Sequence, residues 1–331
     1  MPSILTRVTG RLGRIVLNRP RAINALDAGM VAALHTVLDR WERSPRVRAI
    51  LVTGAGERGL CAGGDLRVFH ADALSGGTVS LEFWTDEYRL NARIARYPKP
   101  IVAWMDGLVM GGGIGIGGHA RVRLVTERSR LAMPEVGIGF HPDVGGSRLL
   151  ALAPGRTGLH LALTGGSIGA ADAIYAGLAD HYVPSARLAD LAVALHDGEI
   201  PEFATQPPPG ELAHARDWID RCYAAPTVAG ILDRLRADPA PGARAAAKEI
   251  EGKSPTSLAV TLRSVRTAAD LPSLEAALDQ EFRLSSAMLR TPDLAEGIRA
   301  QIIDKDRNPR WAPEADADAF FAPRERELGL G

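Results

Sequence analysis

The stretch Met133-Pro134-Glu135-Val136-Gly137-Ile138-Gly139-Phe140-His141-Pro142-Asp143-Val144-Gly145-Gly146 carries two carboxylates in a run that glycine and proline interrupt too often for a continuous surface helix. Two acids held on an irregular segment can divide labour, one acting as nucleophile or base and the other moving a proton. A solvated loop would account for either acid alone. Upstream lie two glycine clusters, Leu60-Cys61-Ala62-Gly63-Gly64-Asp65 and Met110-Gly111-Gly112-Gly113, the second inside the run Gly111–Gly118. Without a Cβ, a glycine backbone lets its N–H approach a polarised oxygen closely, and two converging amides make an oxyanion hole.

Two segments also match the dinucleotide fingerprint GxGxxG, at Gly54, Gly56 and Gly59 and at Gly113, Gly115 and Gly118. The first needs a helix opening at its last glycine, but Gly63 and Gly64 fall where that helix should run, and no convincing ribose acid follows; the second has no strand immediately before it. No nicotinamide or flavin cofactor is expected. The 8 histidines are scattered without HExxH or CxxC spacing, so no metal site is expected either, and His119 and His141 read first as packing or surface residues.

The elements that must position these groups follow an α/β pattern. Gly13–Leu17 and Arg48–Val52 read as strands, and the apolar spacing of Met30, Ala33, Leu34, Val37, Leu38 and Trp41 predicts a helix between them, with Asp27 as its N-cap. Ile101–Met105 reads as another strand, entered in extended form after Pro98 and Pro100. Strands and helices alternate to about Val183. The proline-rich segment 201–209 reads as an exposed linker or long loop, dividing a core domain, 1–200, from a mainly helical region, 201–331, in which Leu212–Ile219 and Leu274–Leu289 are helical and Asp306–Trp311 is a polar tail.

Bulk properties bound the partners. Among 331 residues, Lys+Arg and Asp+Glu both total 39, which removes any general electrostatic case for nucleic acid or an anionic membrane. Two cysteines, Cys61 and Cys222, are too few for a disulfide framework and suit a reducing, cytoplasmic setting. Arg7, Arg11 and Arg14 interrupt the apolar residues near the amino terminus, so no secretion signal is expected, and no apolar run is long enough to predict a membrane span.

Taken in order, Leu60–Asp65, Met110–Gly113 and Met133–Glu135 resemble the three motifs of the enoyl-CoA hydratase/isomerase (crotonase) superfamily. Asp86–Asn91, Pro142–Gly146, Leu161–Gly165, Lys253–Leu258 and Ile303–Trp311 resemble 3-hydroxyisobutyryl-CoA hydrolases in particular, so that the resemblance covers nearly the whole chain. It implies an α/β fold, a spiral of ββα units with a helical carboxy-terminal region packing beside the active site. It implies a thioester carbonyl received by the N–H groups of Gly64 and Gly112, the latter at a helix N-terminus, with the CoA near the backbone of Ala25, Ala62 and Asp65. Glu135 is then the nucleophile or the base for water, Asp143 a proton carrier or an orienting group near the acyl 3-hydroxyl or the leaving thiol, and Glu87 an active-site support. Hydratases of this superfamily carry a glutamate where this chain has Gly115 and tend to have glycine where it has Asp143, which points to thioester hydrolysis, in valine catabolism, over water addition to a double bond. CoA is part of the substrate and no separate cofactor is implied. A hydratase or isomerase, or a CoA-binding protein without turnover, remain the alternatives, and homo-oligomers occur in the superfamily. His141 stands where an apolar residue is common, a departure that bears on the acyl pocket.

One consequence is open to test. Gly112→Pro removes one of the two amide donors and is expected to lower turnover by about 10²–10³. Thiol release by the variant, with its fold verified by circular dichroism, checks this; near-normal turnover would remove Gly112 from the oxyanion hole.

Overall fold

A computed structural model describes residues 2–330. The chain groups into two compact units that interleave along the sequence: the first is 1–64, 86–132 and 168–210, the second 65–85, 133–167 and 211–331. Composition divides the chain near residue 200, and the last changeover between the units lies between Gly210 and Glu211. The second unit, however, also takes in 65–85 and 133–167. A linker leaves a compositional trace, whereas a segment returning to a distant part of the chain leaves none.

Among the described residues the first unit holds all nine strands, β1 (Ile4–Thr9), β2 (Leu12–Leu17), β3 (Ala49–Gly54), β4 (Gly59–Cys61), β5 (Ile101–Met105), β6 (Leu108–Met110), β7 (Val122–Val125), β8 (Arg130–Ala132) and β9 (His181–Tyr182). A six-stranded sheet runs β1-β2-β3-β5-β7-β9 and a three-stranded sheet β4-β6-β8. Apart from the antiparallel β1–β2 hairpin every pairing in both sheets is parallel. The pairs β3–β4, β5–β6 and β7–β8 each give one strand to the large sheet and the next to the small one, and this repetition is the spiral of ββα units that the motifs imply.

Side chains alternate across a strand, so Ala49 and Leu51, Val102 and Trp104, and Val122 and Leu124 line one face of the large sheet, where they pack with Leu191 and Leu195. The opposite face is dry as well, with Ile50, Ile101 and Ala103 almost fully buried. Burial of both faces is the usual state of parallel strands and explains why these runs are continuously apolar. The predicted helix spans Ala28–Glu42, and the Asp27 carboxylate accepts from the N–H of Met30 at 2.8 Å as its N-cap. Residues 201–209 have no regular structure, but they are more than an exposed linker: Ile200 and Phe203 pack against the sheet core, and the Phe203 ring lies 5.0 Å from that of His181.

The second unit is helical, with long helices at Leu212–Cys222, Pro255–Ala268 and Leu274–Met288. Its polar tail is tied down. The Trp311 indole N–H donates to the Gly252 carbonyl at 3.0 Å, and Arg299 pairs with Glu296, Asp304 and Asp306.

In the first unit, Asn24 fixes the entry to the loops. It is buried with φ 56°, and its side-chain amide donates to the carbonyls of Ala55 and Gly59 at 3.1 and 3.0 Å while its Oδ1 accepts from the Arg19 N–H at 3.0 Å. Asn24→Ala leaves those groups without partners and puts alanine in the left-handed region, so a loss of about 2–4 kcal/mol is expected. The urea unfolding midpoint measures it; an unchanged midpoint would mean that the loop is held by other contacts.

Candidate active site

In the first unit the two glycine clusters converge. Leu26 N–H donates to the Gly63 carbonyl at 2.8 Å and Ala62 N–H to the Ile23 carbonyl at 3.0 Å, and Leu26 bridges Gly64 in parallel. This ladder lays the segment that holds Ala25 along Ala62–Gly64, which brings together three of the residues named from sequence. The Ala25 carbonyl already accepts from the Arg19 guanidinium at 2.6 Å. Gly63, at φ 103°, faces the second cluster so closely that a Cβ there would stand 3.7 Å from the Gly112 amide nitrogen.

Gly112 opens a helix of only 6 residues, Gly112–Gly117. Its N–H belongs to the first turn, which has no carbonyl one turn earlier to bond, so the group is available to an oxygen from outside the helix. With so short a helix the contribution is that of the local N–H rather than of a long macrodipole. Glu87, on the helix Val79–Arg96, explains why this position is glycine: a Cβ on Gly112 would stand 2.6 Å from Glu87 Oε1 and 3.2 Å from Leu26 Cδ1. Glu87 therefore lies against the backbone of Gly112. Burial pushes the Cys61 thiol up to about 12, which removes it as a nucleophile.

Asp65 precedes the helix Leu66–Ser75, and its side chain makes no capping bond to it. This residue, Glu135 and Asp143 belong to the second unit.

There, Glu135 begins a single 3₁₀ turn, Glu135–Ile138, closed by Gly139 at φ 74°. Asp143 follows in a second turn, where the Gly146 N–H donates to the Asp143 carbonyl at 2.7 Å and Val144 and Gly145 both have positive φ, 54° and 79°. Both acids are 6% exposed. Burial raises the Glu135 carboxyl well above the ordinary range, and the charges of Asp143 and Glu281 add to the rise. Among the described residues Glu135 Oε2, although buried, has no hydrogen-bond partner. An acceptor left in that state is what a reactive carboxylate facing water or substrate requires.

The remote motifs hold this turn. Ser254 caps the helix Pro255–Ala268, its N–H donates to the Val136 carbonyl at 3.3 Å, and its hydroxyl donates to Asp293 at 2.5 Å. The other oxygen of Asp293 accepts from the Ala312 N–H at 2.8 Å. His141 is fully buried, with Nδ1 3.0 Å from the Pro142 carbonyl and Nε2 3.0 Å from the Ser285 hydroxyl. Burial pushes its pKa down to about 3, so it stays neutral and serves as an anchor. The group that sequence reasoning missed is Glu281. Its signal was present, since a carboxylate sits on the buried stripe of Leu278, Leu284 and Met288, where an apolar residue is the default. Among the described residues no cluster suited to a metal ion occurs and no helix is long and apolar enough to cross a membrane.

A parallel spiral fold whose glycine-backed amides adjoin an acid, in a chain that also buries an acid cluster, is the pattern of enzymes that act on acyl-CoA thioesters. The chain belongs to the enoyl-CoA hydratase/isomerase family, whose model matches residues 12–320. It is 39% identical over 340 residues to the mitochondrial 3-hydroxyisobutyryl-CoA hydrolase of Rattus norvegicus, covering 96% of this chain and 88% of the relative. With the Xenopus tropicalis protein of the same name it shares 37% identity over 326 residues, 94% of this chain and 84% of that one. A solved structure titled carnitinyl-CoA dehydratase, from Mycobacterium thermoresistibile, superposes with a TM-score of 0.96 at 50% identity, covering 100% and 99% of the two chains. Another, titled enoyl-CoA hydratase, from Rhodobacter sphaeroides 2.4.1, gives 0.90 at 44% identity and covers 97% of each chain.

The raised pKa of Glu135 has a direction that can be measured. If the reaction needs its carboxylate form, activity rises with pH through the raised value, so kcat/KM should fall on the acid side well before the ordinary glutamate range near about 4.3 is reached. Glu135→Gln should lower turnover severely with little loss of binding, and the residual rate should lack that acid limb. A wild-type profile flat down to about pH 4.3 would show that this carboxylate is not the titrating catalytic group.

Proposed function

We propose that this chain hydrolyses short acyl-CoA thioesters, with 3-hydroxyisobutyryl-CoA as the substrate and 3-hydroxyisobutyrate and CoA as products. The observation that carries the reading is the buried pair Glu135 and Asp143, one with an unmatched oxygen and a raised pKa, in a chain that has Gly115 where hydratases carry their second glutamate. A thioester already has a good leaving group. The protein therefore has mainly to stabilise the tetrahedral oxyanion and to supply the oxygen that replaces sulfur. In this reading the N–H groups of Gly64 and Gly112 receive the carbonyl oxygen, and Glu87 fixes the backbone at Gly112. Glu135 deprotonates the water that attacks the carbonyl carbon, or attacks it itself to give a mixed anhydride that water then cleaves to free the acid and restore Glu135. As the C–S bond breaks, the thiolate takes a proton, and Asp143 carries that proton or binds the acyl 3-hydroxyl. The backbone at Ala25, Ala62 and Asp65 borders the CoA. The two relatives named as hydrolases at 37% and 39% identity support this reading.

The names of the two solved structures, a dehydratase and a hydratase at 50% and 44% identity, favour a second reading, chemistry at a carbon–carbon double bond on the same fold. Hydrolysis is preferred because that chemistry in the usual hydratase manner needs the acid absent at Gly115. Buried free cysteines at Cys61 and Cys222 suit a reducing compartment such as the cytoplasm, although the hydrolase relatives are named mitochondrial. A place in valine breakdown follows from the proposed substrate.

A panel of CoA esters separates the readings. Thiol release from 3-hydroxyisobutyryl-CoA is expected to exceed that from isobutyryl-CoA, because a site built to bond the hydroxyl leaves its own polar groups unpaired when the hydroxyl is missing. Equal efficiency for the two esters would discard the substrate while keeping the hydrolase. Loss of enoyl absorbance without free thiol would establish the hydratase reading, and binding without either signal would leave a CoA-binding protein.

A further inference from the structure

The turn that carries Asp143 is held in place by one face of the helix Leu274–Met288. Glu281, fully buried on that helix, accepts from the Gly145 N–H through Oε2 at 2.6 Å, and through Oε1 from the Ser147 N–H at 3.0 Å and the Ser147 hydroxyl at 2.5 Å. One turn on, Ser285 meets His141 at 3.0 Å. Residues four apart share a helix face, so from a single rigid element Glu281 holds the backbone that follows Asp143 and Ser285 meets the His141 ring that precedes it.

What they grip is strained. Val144 has φ 54°, a conformation that a β-branched residue adopts at a cost on the order of 1–3 kcal/mol and keeps only when its surroundings over-determine it. The two N–H groups bound by Glu281 lie on Gly145 and Ser147, immediately after that residue. A carboxylate is suited to this task because both its oxygens accept, whereas an amide has one acceptor and would turn a donor toward a donor.

We infer that Glu281 is the positioning residue for Asp143: by clamping the Gly145 and Ser147 amides it holds the strained turn that aims the Asp143 carboxylate at the reacting ester. The inference rests on the role given to Asp143 under the proposed function. Glu281 itself does not touch substrate; it acts through the backbone. Its burial raises its pKa to about 8 against the pull of the Ser147 hydroxyl and the Gly145 N–H, and the charge of Asp143 adds to the rise, which agrees with the two acids lying close together.

The test is a double-mutant cycle on thiol release from 3-hydroxyisobutyryl-CoA by the full chain. Asp143→Asn is measured first: if it turns over at the unaltered rate, the reading of Asp143 fails, and this inference falls with it. If Asp143→Asn is impaired, Glu281→Gln is expected to lower kcat by about 10²-fold with KM retained, since a group displaced by about an ångström loses rate rather than affinity. In the Asp143→Asn background the same change should cost nothing more, because residues acting as one unit give non-additive losses. A loss of the same factor in both backgrounds, or a raised KM with kcat unchanged, would overturn the assignment and leave Glu281 a general structural acid. Should Glu281→Gln fail to fold, Ser147→Ala removes one donor only and is read in the same way: a several-fold loss of kcat that vanishes beside Asp143→Asn supports the inference, and a loss that persists there overturns it.

Discussion

A carboxyl group taken out of water must be given hydrogen-bond donors or be held protonated, and the second unit meets this constraint in opposite ways at Glu281 and Glu135. Glu281 receives two backbone N–H groups and a hydroxyl, so its burial is offset in part and the acid becomes a fixed point of the structure. Glu135 is buried to a similar degree with one oxygen unmatched, so its cost is left standing. The first arrangement makes a clamp, and the second leaves a buried acid with an unmatched oxygen and a raised pKa. The charge of Asp143 raises the pKa of both Glu135 and Glu281, and the charge of Glu281 adds to the rise at Glu135, so a macroscopic pKa measured for Glu135 reports its acidic neighbours as well as its own burial.

In the first unit the features on which the proposed oxyanion hole rests are matters of backbone geometry. The strand pairing that lays Leu26 along Gly63 and Gly64, and the glycine that lets Gly112 sit against Glu87, place amides rather than side chains. Side-chain identity enters by exclusion, since any Cβ at Gly112 would collide with the Glu87 carboxylate. Such a site suits many reactions that build negative charge on a thioester oxygen, so the amides alone do not choose among hydrolysis, hydration and dehydration. The solved structures at 44% and 50% identity bear names from a different reaction than the relatives at 37% and 39%.

Residues far from the acids in sequence are committed to holding them. Ser254 reaches the Glu135 turn through the Val136 carbonyl and also meets Asp293, which in turn binds the chain at Ala312, beside Trp311 and its bond to Gly252. The stretches Lys253–Leu258 and Ile303–Trp311 thus have a mechanical use: each supplies a bond to a turn or helix end that propensity alone would leave loose.

Much of this was legible in the residues. Apolar runs bounded by glycine and proline marked β2, β3 and β5 because parallel strands bury both faces, and Asp27 marked the helix after it because a side-chain oxygen there satisfies a first-turn N–H. Glycines without a reason to form a dinucleotide loop pointed to close backbone approach in the clusters that hold Gly64 and Gly112, and two acids on a broken segment singled out Glu135 and Asp143. Local patterns report local geometry, and these features are local. The grouping of 65–85 and 133–167 with 211–331, the closeness of Glu87 to Gly112, and the clamp of Glu281 on Gly145 and Ser147 depend on partners distant along the chain. Only tertiary packing decides those, because whether a buried carboxylate becomes a reactive acid or a structural pin is set by the donors that folding brings to it.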